Sequence, residues 1–274
     1  MYFFSFVYSF LYTIGFISQL DNRAITTTIA QVMSLAASAY CSQSDLLQWN
    51  CKTCTQNVSN ITVIDENTRL IMAYDHSLKS HFISIRGSSD INNWISNFET
   101  RIIYPYIDTN IGVHNGLYYE YLLYKERMIS FVQTMNDNDL LIITGHSAGS
   151  ALATFLAYDL LVEGAFLCSN MNIYTFGSPR IGNKEFVKSF VSLDVKHYRI
   201  TYKKDIVPHL PQEFLGFVHI PHEMWFSTSS NYKLCHDNDG YEDDSCSNSC
   251  SPFSCTSISD HLNYLGYAIG SDAC

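Results

Sequence analysis

Gly145-His146-Ser147-Ala148-Gly149 follows the apolar run Leu140-Leu141-Ile142-Ile143-Thr144 and precedes the helix-like stretch from Ala151 to Val162. The pattern is a strand, a tight turn with a serine at its tip, and a helix. A serine hydroxyl is a poor nucleophile until it is exposed, held on a strained turn and placed beside a base. The glycines two positions to either side keep the turn clear of side chains where strand and helix approach most closely. A Gly-x-Ser-x-Gly arises by chance in roughly one chain in ten of this length. The flanking elements, more than the pentapeptide, therefore carry the assignment of a nucleophile elbow.

Such an elbow needs an acid and then a base further along the chain, in that order. Asp205 stands in Lys204-Asp205-Ile206-Val207-Pro208-His209, just after the strand-like Val195 to Tyr202, and His261 stands in Asp260-His261-Leu262-Asn263-Tyr264 near the C-terminus. Both fall at the ends of elements, where a scaffold presents catalytic groups. The order assigns Ser147 as nucleophile, His261 as general base and then acid, and Asp205 as the group that orients the imidazole and stabilises its cation. The Ala148 backbone N–H, next after the nucleophile, is one oxyanion donor. His146 is read as a packing residue.

With these residues placed, the chain resembles the fungal-type (class 3) triacylglycerol lipases. Arg86-Gly87-Ser88-Ser89-Asp90-Ile91-Asn92-Asn93-Trp94 is similar to that family's oxyanion-loop and lid segment. Val113-His114-Asn115-Gly116 is similar to its Val-His-x-Gly motif, and Thr175-Phe176-Gly177-Ser178-Pro179-Arg180-Ile181-Gly182-Asn183 to its Gly-x-Pro-Arg-x-Gly-Asn block. The Asp205 and His261 segments match its acid and base blocks. The resemblance runs from about Ile25 to Cys274. One departure stands in the elbow: the family reads Gly-His-Ser-Leu-Gly-Gly, whereas this chain has Ala148 and Ser150. Alanine still supplies the N–H but makes a smaller acyl-pocket wall.

The resemblance implies the Ser88 backbone N–H as the second oxyanion donor, with its hydroxyl as an extra one, and the disulfides Cys41–Cys274, Cys51–Cys54 and Cys235–Cys246. The first would close a loop long enough to stabilise the fold by roughly 4–5 kcal/mol in the chain-entropy picture. Ile91, Trp94, Ile95 and Phe98 recur at i, i+3, i+4 and i+7, one apolar stripe on a short helix, opposite Asp90, Asn92, Asn93 and Asn97. Exposing four such side chains costs on the order of 1.5–3 kcal/mol each. In water the helix should lie apolar face down over the site, and at a lipid surface the same face can bury in lipid. That behaviour is a lid of the kind the resemblance implies. In feruloyl esterases the corresponding segment tends to be polar.

The rest of the sequence sets bounds. At 274 residues and 47% hydrophobic content, with no linker-like tract or internal repeat, one large domain is expected. The formal charge of −10 argues against nucleic acid and against an anionic membrane surface as partners. Residues 1–18 are apolar and uncharged, expected as a signal peptide or an uncleaved anchor, leaving 19–274 as the domain. Nine cysteines point to an oxidising compartment. Cys51-Lys52-Thr53-Cys54 lacks the second pair of a zinc site and the βαβ setting of a redox motif, so it is read as a local disulfide. Cys250 and Cys255 are expected to pair with each other, and Cys168 to be a buried thiol. Asn57 and Asn60 head adjacent glycosylation sequons. The acidic segment from Asp237 to Asp244 lacks the bidentate glutamate of a calcium loop and is read as a solvated loop closed by a disulfide.

Helical periodicity covers Ile25 to Tyr40, and Leu117, Tyr121, Tyr124, Met128 and Phe131 mark one face of a long helix. Strands are read at Leu70 to Asp75, His81 to Arg86, Met171 to Phe176 and Val195 to Tyr202. Strands alternating with helices predict an α/β fold: an α/β-hydrolase with a central, mostly parallel sheet covered on both faces. The expected activity is that of a secreted serine hydrolase cleaving acylglycerol esters at a lipid–water interface, with no metal or organic cofactor. The alternatives are a phospholipase A1, a soluble carboxylesterase including a feruloyl esterase-like one, or an inactive lipid-binding protein on the same fold. The sequence leaves the oligomeric state open.

Overall fold

The computed structural model describes residues 24–107, 110–236, 241–251 and 254–274. The expected signal segment 1–18 and the acidic residues 237–240 lie outside them. The first elements are α1 (24–38), α2 (Gln43–Leu47), β1 (Val58–Asp65), β2 (Arg69–Asp75), β3 (Ser80–Ile85), α3 (Ile91–Ser96), β4 (Ile102–Ile103) and β5 (Val113–His114). Next come α4 (Asn115–Leu122), α5 (Lys125–Val132), β6 (Leu141–His146), α6 (Ala148–Val162), β7 (Met171–Phe176), α7 (Lys184–Val191) and β8 (Lys196–Tyr202). The chain closes with β9 (Glu223–Thr228), β10 (Asn231–Leu234), α8 (Ile258–His261), β11 (Asn263–Tyr264) and β12 (Tyr267–Ala268).

Eight strands form one sheet in the order β1-β2-β3-β6-β7-β8-β9-β10. The run from β3 to β9 pairs in parallel, while β1, β2 and β10 add antiparallel edges. Parallel strands are covered on both faces, and β6 is buried at every position, as its unbroken apolar run requires. Alternate side chains feed two cores. Leu70, Met72, Ile83, Ile85 and Ile143 pack with Leu117, Tyr121, Leu152 and Phe155 on one side. Ile71, Ala73, Phe82 and Ile142 meet Val32, Met33 and Ala36 of α1 on the other. Helix α6 is buried from Ala148 through Leu160, which accounts for its being apolar all round.

Three expectations need correction. The long helix through Leu117 and Phe131 is two helices, α4 and α5, broken at Tyr124, where φ is −118°. The apolar face survives the break, with Leu117, Tyr121, Tyr124 and Met128 buried. The break lets Tyr121 Oη and Lys125 Nζ converge on Asp159 Oδ2 at 2.8 and 2.7 Å, while the Tyr124 hydroxyl accepts the Thr68 N–H at 3.1 Å. Second, Cys168 is an exposed thiol, because it sits on a 3-10 turn ahead of β7 and not on a packed face. Third, the acidic loop is only partly solvated. Glu242 turns inward, and its carboxylate accepts from Arg180 Nε and Nη2 at 2.6 and 2.7 Å. Burial alone would raise the Glu242 carboxyl, but the neighbouring His219 and the hydrogen-bonded Arg180 hold it down at about 2.

Four disulfides are formed: Cys41–Cys274, Cys51–Cys54, Cys235–Cys246 and Cys250–Cys255. Asn57 and Asn60 are both exposed, and Asn60 adopts a left-handed φ of 56° where the β1–β2 register shifts. Among the described residues, no helix is long and apolar enough to cross a membrane.

Candidate active site

Ser147 occupies the single residue between β6 and α6, at φ 59° and ψ −132°. A non-glycine residue there is strained by on the order of 1–3 kcal/mol, which the surrounding packing must hold. The packing is tight. A Cβ on Gly145 would lie 2.4 Å from the Gly149 backbone, and one on Gly149 would lie 2.1 Å from the Ile85 oxygen. Ser147 N donates to the Phe176 oxygen at 2.9 Å. Ser150, the departure from the family pattern, fastens the elbow to β7: its hydroxyl reaches the Gly145 oxygen at 2.7 Å and accepts the Phe176 N–H at 3.1 Å. The serine tip therefore stands at the N-terminus of a fifteen-residue helix, where the helix dipole favours developing negative charge.

Asp205 follows β8 and His261 ends α8, which Ser257 caps by accepting the Asp260 N–H. The fold brings the two together. His261 Nδ1 lies 2.9 Å from both Asp205 oxygens, and each residue is about 1% exposed. The carboxylate also accepts the Val207 N–H at 2.9 Å and the Tyr264 hydroxyl. Tyr264 lay inside the quoted base block without a role. Burial, and then the Asp205 charge, push its phenol well above the usual range, so it stays a donor. Gly177 leaves room for the group: at φ 58°, a Cβ there would fall 2.8 Å from Asp205 Oδ2 and 3.1 Å from His261 Nδ1.

Ser147 Oγ and His261 Nε2 are both buried without a hydrogen-bond partner among the described residues. These are the two atoms that proton transfer would join, and such bonds are often formed only when substrate arrives. The Ala148 N–H opens α6 beside Ser147. Gly87, before Ser88, abuts the elbow so closely that a Cβ would lie 2.8 Å from Ser147 Cβ. The Ser88 hydroxyl is engaged with Asp90, donating to its oxygen at 3.1 Å and accepting its N–H at 3.3 Å. Asp90 in turn caps α3 by accepting the Asn93 N–H at 3.0 Å.

Along α3 and just past its end, the apolar residues are the less exposed ones. Ile91 is buried and Trp94, Ile95 and Phe98 are partly buried, while Asn92, Asn93 and Asn97 are exposed. The Trp94 and Phe98 rings are 4.3 Å apart, and Phe98 meets His114 at 4.7 Å. Between α3 and α4 lies a cavity of about 490 Å³, lined by Ser88, Trp94, Phe98, His114, Leu117 and Glu120 among others. Burial lowers the His114 pKa to about 4, and its Nε2 has no partner. The two groups of clustered ligand-type atoms among the described residues, His209 with Cys250 and Cys255 and Glu223 with Cys235 and Cys246, have their sulfurs in disulfides.

A parallel sheet with a strained serine at a strand–helix turn, and an aspartate–histidine pair carried on later loops, is the architecture of an α/β-hydrolase. Residues 82–215 match the family described as lipase (class 3). The lipase of Rhizomucor miehei is 32% identical over 248 residues, covering 86% of this chain and 68% of that protein. Lipase II from Rhizopus niveus superimposes with a TM-score of 0.81 at 29% identity, covering 91% of this chain and 97% of the other. A triacylglycerol lipase described as having a serine protease triad at its catalytic centre superimposes with a TM-score of 0.79 at 30% identity, over 90% and 96% of the two chains. The chain belongs to the class 3 lipase family and is a lipase-type carboxylic ester hydrolase.

Proposed function

We propose that the protein is a secreted hydrolase that cleaves acylglycerol esters at lipid–water interfaces through an acyl-enzyme. Ser147 attacks the ester carbonyl while His261 takes its proton. His261 then protonates the departing alcohol, and water activated by the same imidazole releases the fatty acid. Asp205, held by Val207 N–H and Tyr264, fixes the imidazole tautomer with Nδ1–H toward the carboxylate, leaving Nε2 to face the serine. The backbone N–H groups of Ala148 and Ser88 receive the oxyanion, and losing one such donor typically costs about 10² to 10³ in turnover. Helix α3 acts as the lid. Its apolar stripe shields the site in water and turns outward into lipid.

The observation that carries this reading is the buried group itself: an aspartate–histidine pair at 2.9 Å, with an unpartnered imidazole nitrogen and an unpartnered serine hydroxyl among the described residues. Four disulfides support the secreted setting. Ser147→Ala should lower hydrolysis of any ester to the level of a contaminant control and leave the melting temperature within a few degrees. It should also abolish covalent labelling by an alkyl phosphonate. Retained turnover or retained labelling would refute Ser147 as the nucleophile.

A further inference from the structure

His146, the residue before the nucleophile, is 1% exposed, and each ring nitrogen has one partner. Nε2 lies 3.0 Å from the His261 backbone oxygen, and Nδ1 lies 2.9 Å from the Tyr40 hydroxyl. A carbonyl oxygen only accepts, so Nε2 carries a proton. Burial, reinforced by the neighbouring His261, holds the His146 pKa well below the usual range, so the ring is neutral and Nδ1 accepts. Tyr40 therefore donates its O–H to Nδ1, and its oxygen accepts the Gly87 N–H at 3.1 Å. One unbranched chain of hydrogen bonds thus runs from Gly87 through Tyr40 and His146 to the main chain of His261, with every donor and acceptor determined.

The two ends of that chain lie on the two segments that must meet at Ser147, the one before Ser88 and the one that carries His261. At one end, Gly87 precedes the Ser88 peptide, and a Cβ at 87 would lie 2.6 Å from the His146 oxygen and 2.7 Å from the Tyr40 hydroxyl. At the other end, His261 closes a four-residue helix with little rigidity of its own, and its ring packs 4.4 Å from that of His146. Tyr40 is a firm anchor. It follows α1, and its neighbour Cys41 is bonded to Cys274. We propose that Tyr40 and His146 are positioning residues that hold the Ser88 oxyanion peptide and the His261 imidazole in one fixed relation to Ser147. The proposal rests on the Ser147–His261–Asp205 reading and extends it to groups that touch no substrate.

A packing role needs the rings but not their polarity, so Tyr40→Phe separates the two. A p-nitrophenyl alkyl phosphonate counts competent sites by attachment at Ser147, and turnover of p-nitrophenyl butyrate is then expressed per titrated site. Per-site kcat should fall by about 10- to 100-fold while KM changes less than about threefold, the pattern of an interaction realised in the transition state. His146→Gln, which keeps a donor and an acceptor, should retain at least about fivefold more per-site activity than His146→Leu. Per-site kcat of Tyr40→Phe within about fivefold of wild type overturns the proposal, whatever the number of sites. If Tyr40→Phe yields no titratable protein, equal per-site activity of the two His146 variants overturns it instead. Failure of the wild-type chain to titrate would remove the nucleophile assignment first, and this proposal with it.

Discussion

Gly177 shows how much of the chemistry depends on an atom that is missing. Its φ of 58° already disfavours a side chain, and an added Cβ would meet Asp205, Tyr264 and His261 together. Gly177→Ala should therefore lower kcat by about 10²-fold or more through misplacement of the imidazole, as small displacements at a reacting centre do. Turnover per phosphonate-titrated site measures it, and a loss below about tenfold would mean that the loop yields without moving the acid–base pair. At this scale the sequence was readable where a residue type carries its own chemistry. Ser147, Asp205 and His261 stand in the expected order, and the fold brings the last two into contact. Tyr264 and Tyr40 were not readable as partners, because a tyrosine is an ordinary core residue until its hydroxyl is seen to meet Asp205 or His146. The signal for Tyr264 was its place three residues after His261, on the short strand that follows α8.

At the scale of elements, the proposed substrate class rests on α3. Ile91, Trp94 and Ile95 on the helix and Phe98 just beyond its end are buried or partly buried, while Asn92, Asn93 and Asn97 are exposed. Replacing Trp94 and Ile95 together with serine should weaken activity on emulsions by about tenfold or more while changing hydrolysis of a short soluble ester by less than about threefold, since the lost apolar area matters only when the helix transfers into lipid. Rate measurements on both substrates check this, and equal loss on the two would sink the lid. The amphipathic period made α3 legible, as it did α1 and the face shared by α4 and α5. The break at Tyr124 was not legible. The periodicity continues through it, and only tertiary bonds to Asp159 and Thr68 reveal why the helix stops. The edge strands β1 and β10, and β9 beside β10, also went unread, because none of them carries the unbroken apolar run that marks β6.

For the molecule as a whole, the pH dependence of stability follows from what is buried. His114 and His197 are neutral in the fold, with burial lowering their pKa values to about 4 and about 3. In the unfolded chain each would take up a proton near its ordinary value, so their contribution is complete above about pH 6.5 and is lost as pH falls toward about 4 for His114 and about 3 for His197. Each adds a slope of up to about 1.4 kcal/mol per pH unit in that window. Urea midpoints at pH 7, 6 and 5 should decline accordingly, and a constant midpoint would show that these rings are already charged or solvated in the fold. The proposed function couples this buried site to a lipid surface. Hydrolysis of tributyrin measured from below to above its solubility limit, with Ser147→Ala alongside, tests it most directly. A sharp rise in rate once droplets form, absent in the variant, is the result predicted for a lidded interfacial lipase. Smooth saturation below the limit, with no further rise as droplets appear, would contradict it.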